Sequence, residues 1–143
     1  MSRNNRGFAL TALPIVVFAL MAGSAMAQSY SGDWPTTVSN SHYANGTYCV
    51  TLTDDGSLGW PHSGGAVLLL QSNRLFGTFQ VINGLLMATF EQQGGTGQNA
   101  GLVFIARASG GRVKKGTYEE VYGGEELDSG VLVFGAKNGC SGH

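Results

Sequence analysis

Five acidic residues cluster around one predicted turn of the sequence, Gly123-Gly124. They are Glu119, Glu120, Glu125, Glu126 and Asp128. With a two-residue turn, Glu119 lies opposite Asp128, so like charges meet across the strand pair at a modest energetic cost. A bound Ca²⁺ ion would relieve that repulsion, but calcium sites usually need a defined loop of oxygen ligands. We therefore interpret the cluster as a solvated hairpin tip and keep calcium binding as the alternative.

Three histidines, His42, His62 and His143, are the other side chains that could bind a metal ion or transfer protons. No two of them have the close spacing of a zinc site, so we expect surface histidines and no metal site. Serine and aspartate are also present, but no Gly-x-Ser-x-Gly motif occurs. Because no acid, base and nucleophile converge in the sequence, we predict a protein that is not an enzyme and has no cofactor.

The glycine-rich run from Gly94 to Gly101 has the composition of a phosphate-binding loop. It lacks the Lys-Ser/Thr pair of a P-loop, and it runs from one predicted strand into another rather than into a helix N-terminus. We predict a flexible connection.

Both tryptophans precede a proline, in the pairs Trp34-Pro35 and Trp60-Pro61. The residue before proline favours extended backbone. An exposed tryptophan could stack on a sugar or anchor a partner, but covering one end of a barrel is the commoner use of such a ring. We predict that these rings close the barrel.

Cys49 and Cys140 are the two cysteines of the chain. In an exported protein, two such thiols are expected to form a disulfide with each other. A catalytic cysteine is the alternative, but neither residue lies in a redox pair or beside an activating basic site. The disulfide would join the first predicted strand to the tail after the last one.

The turn Asn83-Gly84 separates two strand-like runs and is a strong hairpin signal, because both central residues of a type I′ turn need positive φ. Counting outward from this turn places Phe79 opposite Ala88 and Gly77 opposite Phe90 on an apolar face. The opposite face carries Met87 and is half polar.

Turn residues separate strand-like runs along the rest of the chain in the same way, which predicts seven strands in an antiparallel meander. They lie near Thr47 to Thr53, Ala66 to Gln71, Leu75 to Ile82, Leu85 to Gln92, Leu102 to Ala108, Arg112 to Tyr122 and Leu127 to Phe134. Glycines inside strands, such as Gly77, Gly116 and Gly130, favour strands that curl. The predicted fold is an all-β up-and-down or half-open barrel of about seven or eight strands, with a two-sheet sandwich as the alternative.

The first 27 residues resemble a secretory signal peptide. Arg3 and Arg6 precede an apolar stretch from Phe8 to Met21, and small residues follow, ending in Ala25-Met26-Ala27. We therefore divide the chain into a signal peptide (1–27), an irregular N-terminal arm (28–45) and a single β domain (46–143), and expect a secreted or periplasmic protein without a membrane span in its mature part.

Removing two basic residues with the signal takes the formal charge from −1 to −3, so nucleic acid is a poor candidate partner. An eight-stranded barrel is either packed or holds one small ligand, and Gly77, Ala88, Ala106 and Gly116 could leave room inside. We therefore expect a non-enzymatic binding protein for a small apolar or amphipathic ligand or for a partner. The alternative is a structural or protein-interaction component of the cell envelope, which would bind an envelope or host protein through the half-polar face of the Leu75 to Glu91 hairpin.

Overall fold

The chain folds into a closed antiparallel barrel in which each strand pairs with its neighbours in sequence. The computed structural model describes residues 28–93 and 99–140. The eight strands are β1 (Gly32–Ser39), β2 (Gly46–Asp54), β3 (Ser63–Leu69), β4 (Arg74–Ile82), β5 (Leu85–Gln93), β6 (Asn99–Ser109), β7 (Arg112–Tyr122) and β8 (Glu125–Phe134). The predicted all-β meander barrel is thus confirmed. In the two described ranges, no helix is long and apolar enough to cross a membrane.

The β4–β5 hairpin has the register predicted from its turn. Phe79 pairs with Ala88, and Gly77 pairs with Phe90. Asn83 and Gly84 have φ angles of 52° and 78°, as a type I′ turn requires. The predicted register of this hairpin is therefore confirmed.

The segment 28–45 is not the irregular arm that we predicted, because it contains β1. This strand pairs with β2, and its second half, Thr36–Ser39, pairs with β8 and closes the barrel. Pro35 lies just before the β8 pairing begins, so its missing N–H costs no hydrogen bond on that side. Its carbonyl instead accepts the N–H of Gly135 at 2.6 Å. Proline is rare inside strands, and the polar, inward-facing Thr36 interrupts the alternation of apolar and polar residues. For these two reasons the sequence pattern does not indicate a strand here.

A β-bulge in β8 changes the predicted register of the last hairpin. Glu120 pairs with Asp128 and Val121 pairs with Glu126, so Leu127 is an extra residue in β8. Our pairing of Glu119 with Asp128 is therefore wrong. The bulge turns Asp128 toward the inside of the barrel, where it is buried.

The strands approach one another most closely at the glycines of β4 and β7. A Cβ atom at Gly77 would overlap the carbonyl oxygen of Thr89, and one at Gly116 would overlap that of Ile105. Phe90 pairs with Gly77 from the neighbouring strand, on the inner face of the barrel. These glycines therefore allow the close strand contact of a curled sheet, as the sequence predicts.

The sulfur atoms of Cys49 and Cys140 lie at disulfide-bonding distance, and their Cα atoms are 6.0 Å apart. Cys49 lies in β2 rather than in the first strand, because β1 precedes it. After β8 the tail crosses the outside of β1, where the N–H of Asn138 donates to the carbonyl of Asp33 at 2.6 Å. The sulfur bridge therefore holds this tail across β1.

Candidate functional site

The interior of the barrel is filled by side chains. Phe79, Phe90 and Phe104 are almost completely buried across the middle, and the ring centroids of Phe90 and Phe104 are 5.2 Å apart. Tyr30 and Trp34 are buried at the end where β1 begins. The space that we expected beside Gly77 and Gly116 is occupied by the backbone of the adjacent strands. The geometry therefore corresponds to the packed form of an eight-stranded barrel.

A cleft of about 650 Å³ lies at the end of the barrel where β1 begins, between the start of β7 and the tail that follows β8. Its cationic side chains are Arg112, Lys114 and Lys137, and no acidic residue of the described ranges lines it. The pairing of β7 with β8 begins at Lys115, so the residues of β7 before it have a strand neighbour only on the β6 side. We call this gap in the barrel wall the basic cleft.

A second β-bulge concentrates positive charge beside the basic cleft. The register of β6 and β7 shifts so that Arg107 alone lies opposite Lys114 and Lys115. Like charges in this arrangement are destabilising, and no salt bridge to these three residues occurs in the described ranges. Among the described lysines and arginines, Arg74 is the one that lies at the other end of the barrel. The positive charge of the domain is therefore collected at one end.

The acidic residues at this same end are bound to partners of their own. Asp33 accepts a hydrogen bond from the Thr51 hydroxyl at 2.8 Å, and Asp55 accepts the N–H of Ser57 at 3.0 Å. Hydrogen bonds from the side chain of Ser57 and then from its backbone N–H lower the pKa of Asp55. These carboxylates are therefore engaged away from the cations of the basic cleft.

Asp54 and His62 form a hydrogen-bonded pair next to Tyr30. The Nδ1 atom of His62 is 2.8 Å from Oδ2 of Asp54, which also accepts the Tyr30 N–H at 3.0 Å. The Asp54 side chain is 3% exposed and that of His62 is 35% exposed. In the described ranges no hydroxyl or thiol bonds to the His62 ring, so a nucleophile of the Ser-His-Asp type is missing there. Sequence reasoning missed this pair, although alternation along β2 turns Asp54 inward, toward the start of β3.

The remaining histidines do not join this pair. His42 is exposed in the connection between β1 and β2, and its ring packs edge-on against Tyr43 with centroids 4.3 Å apart. His143 lies outside the described residues. Within the ranges that the structure describes, no three His, Cys, Asp or Glu side chains are grouped to hold a metal ion.

At the opposite end of the barrel, Asp128 binds the connection between β1 and β2. Its carboxylate accepts the Ser41 hydroxyl at 2.6 Å and the N–H groups of His42 and Tyr43 at 2.9 and 3.1 Å. The Ser41 bond, followed by these backbone bonds, holds the pKa of Asp128 below its ordinary value of 3.8. This member of the predicted acidic cluster is thus a hydrogen-bond acceptor for the β1–β2 connection, and these bonds account for its burial.

Replacing Asp128 with asparagine is expected to reduce the melting temperature at neutral pH, because the three donors named above and the N–H of Ser129 lose a charged acceptor. The folded-state pKa lies below the unfolded one, so this stabilisation is complete above the ordinary value of 3.8 and is lost as the pH falls below it. The difference in melting temperature between wild type and Asp128→Asn should therefore shrink as the pH falls below 3.8. Glu126→Gln, an exposed neighbour, is the matched control; a pH-independent difference would contradict the assignment.

The two tryptophans have different environments. Trp34 is buried, and its Nε1 donates to the carbonyl of Tyr30 at 3.1 Å, so its predicted role in closing the barrel is confirmed. Trp60 is 47% exposed, and the prediction that it closes the barrel is wrong. It lies in the β2–β3 connection, whose backbone is held by the Ser63 hydroxyl bonding to the Trp60 carbonyl at 2.9 Å.

An apolar surface lies on the outside of the barrel wall around β5. Met87 is 41% exposed and Leu85 is 48% exposed. Ile105 is paired with Met87 from β6, Ile82 is paired with Leu85 from β4, and Leu58 lies beside Met87 across a small depression. We call this set the outer patch.

The glycine-rich run 94–101 lies mostly outside the described residues, and only its last residues are seen, in β6.

Comparison with protein-family models, curated proteins and solved structures finds no match to this chain. The described features that bear on function are therefore the packed interior, the basic cleft and the outer patch.

Proposed function

We propose that this protein is a non-enzymatic, exported interaction protein that binds its partner on the outside of a packed barrel. The observation that carries the proposal is the filled interior combined with the exposed outer patch. Bulky side chains fill the middle of the barrel, so the described residues leave no space there for a small apolar ligand. The envelope or host protein that we considered as an alternative to this ligand is thus the better-supported partner.

The outer patch supplies the apolar part of such an interface. Met87, Leu85 and Leu58 expose apolar side chains in one region of the wall, and exposed apolar groups of this kind mark interaction surfaces when they are contiguous. Polar groups border them, because Gln80 pairs with Met87 and Arg107 pairs with Leu85. An apolar centre with a polar border is typical of protein interfaces.

Two observations support export. The first 27 residues have the pattern of a signal peptide. The Cys49–Cys140 pair is at bonding distance, and disulfides persist in oxidising compartments. We therefore propose that the protein acts in the periplasm or the extracellular space.

Site-specific photocrosslinking in whole cells tests the proposal. A photoreactive residue at position 87 should give a recurrent protein adduct, whereas one at Thr47, exposed on β2, should not. Leu85→Asp should reduce the position 87 adduct on the order of tenfold, because it places a charge in the apolar centre. Equal labelling from positions 47 and 87, or no adduct from either, would overturn the proposed surface.

A further inference from the structure

The basic cleft combines three features that the proposed partner surface does not use. It has a volume of about 650 Å³, within the range of sites for small organic ligands, which is far more than an inorganic ion fills. Its charged lining side chains are Arg112, Lys114 and Lys137, all cationic. It also lies beside a stretch of β7 whose backbone has no strand partner on the cleft side.

The positively charged side chains around the cleft repel one another, which lowers the stability of the folded protein. Arg107 lies opposite Lys114 and Lys115 across the bulge, so three positive charges are adjacent. No carboxylate of the described ranges neutralises them, since Asp33 and Asp55 are engaged elsewhere and Asp54 is paired with His62. An anionic ligand would replace that repulsion with charge-assisted hydrogen bonds.

Lys137 is held in place before any ligand arrives. Its Nζ donates to the carbonyl of Ser29 at 2.8 Å and lies 6.0 Å from the centroid of the Trp34 ring. The tail that carries Lys137 is fixed by the disulfide at Cys140. A preorganised cation loses little freedom on binding, which favours a specific site over diffuse attraction.

We propose that the basic cleft binds a small organic ligand carrying at least two oxyanion groups. A ligand needs more than one negative charge to interact with all three lining cations. It must also be larger than an inorganic ion to fill a volume of about 650 Å³. Phosphate, sulfate and carboxylate groups all present oxygen acceptors to lysine and arginine. The site goes beyond the proposed function, because none of the residues that line the basic cleft belongs to the outer patch.

Isothermal titration at physiological salt, with protein purified from an exporting host, tests this site. The probes are inositol hexakisphosphate, sucrose octasulfate and citrate, which separate the three oxyanion sources, and inorganic sulfate is the small-ion control. At least one organic probe should bind more tightly than sulfate, and amide resonances of residues 110–114 and 135–137 should shift on binding. Failure of all three probes, or shifts elsewhere, would overturn the site without affecting the crosslinking result.

Variants that remove one positive charge distinguish specific binding in the basic cleft from non-specific electrostatic attraction of an anion to the protein. Arg112→Gln and Lys114→Gln should each weaken binding of that probe about tenfold, because each removes a charge-assisted contact. Both residues are exposed, so a thermal melt can verify that the variants remain folded. Arg74→Gln makes the same change in net charge at the other end of the barrel and should leave affinity within about twofold, since the charges there are screened over that distance. Equal weakening by all three variants would show diffuse electrostatics and contradict the proposal.

Discussion

The double variant Cys49→Ser/Cys140→Ser is expected to lose roughly 4 kcal/mol of unfolding free energy relative to the oxidised protein. The two residues are 91 positions apart, so the bridge closes a long loop and removes much conformational freedom from the unfolded chain. Because a domain of this size has about 5 to 15 kcal/mol of stability in total, this loss is a large fraction of it. Urea unfolding followed by circular dichroism measures the difference.

Two controls separate the bridge from other effects of the substitutions. Wild-type protein reduced with a strong thiol should unfold at the same urea concentration as the double variant. Asn138→Ala, which removes a side chain from the same tail but keeps the bridge, should cost far less. A loss below about 1 kcal/mol in the double variant would mean that the unfolded chain is already restricted without the bridge.

The disulfide also connects stability with the basic cleft. Residues 135–137 form one wall of the cleft, and the same tail ends at Cys140. Its backbone is bonded to β1 through Gly135 and Asn138. The bridge thus holds Lys137 against the end of the barrel, so one covalent bond supports both the closure of β1 and the geometry of the proposed site.

Local turn chemistry accounts for the parts of the fold that could be predicted from sequence. Asn83-Gly84 permits few strand registers, and β4 and β5 consequently pair as predicted. The two cysteines allow a single pairing, and the structure places them at bonding distance. The hairpin register depends on a few neighbouring residues, and the disulfide pairing depends only on the number of cysteines. Both can therefore be read from the sequence.

The parts that could not be predicted depend on distant contacts. β1 contains Pro35 and an inward Thr36, and it becomes a strand because β2 and β8 supply its partners. The bulge at Leu127 depends on the bonds of Asp128 to residues 41–43, which are far away in sequence. Period counting within one segment cannot detect either feature.

Net charge was also an incomplete guide to the candidate site. A formal charge of −3 for the part after residue 27 is an average over two different ends of the barrel. Arg107, Arg112, Lys114 and Lys115 lie near the β6–β7 turn, whereas the acidic cluster lies at the β7–β8 turn. Consecutive turns of an antiparallel meander lie at opposite ends of the barrel, and so a domain of net negative charge presents a cationic cleft.

Gly116→Ala and Gly77→Ala are each expected to lower the unfolding free energy by about 3 kcal/mol. The added Cβ would overlap a carbonyl oxygen of the adjacent strand, at Ile105 and Thr89 respectively. Neither oxygen belongs to a side chain that can rotate away, so two strands must separate locally. Chemical denaturation at neutral pH measures the loss.

Gly65 and Gly101 are matched controls for these substitutions, because they also lie within strands and nothing lies within 4 Å of an added Cβ at either position. Alanine there should leave stability unchanged or raise it by about 0.5 kcal/mol, since it restricts the unfolded chain without creating a clash. If all four variants behaved alike, the glycines of β4 and β7 would matter only through strand propensity. A loss confined to Gly77 and Gly116 would instead show that close strand approach, rather than space for a ligand, explains why small residues occupy the inside of this barrel.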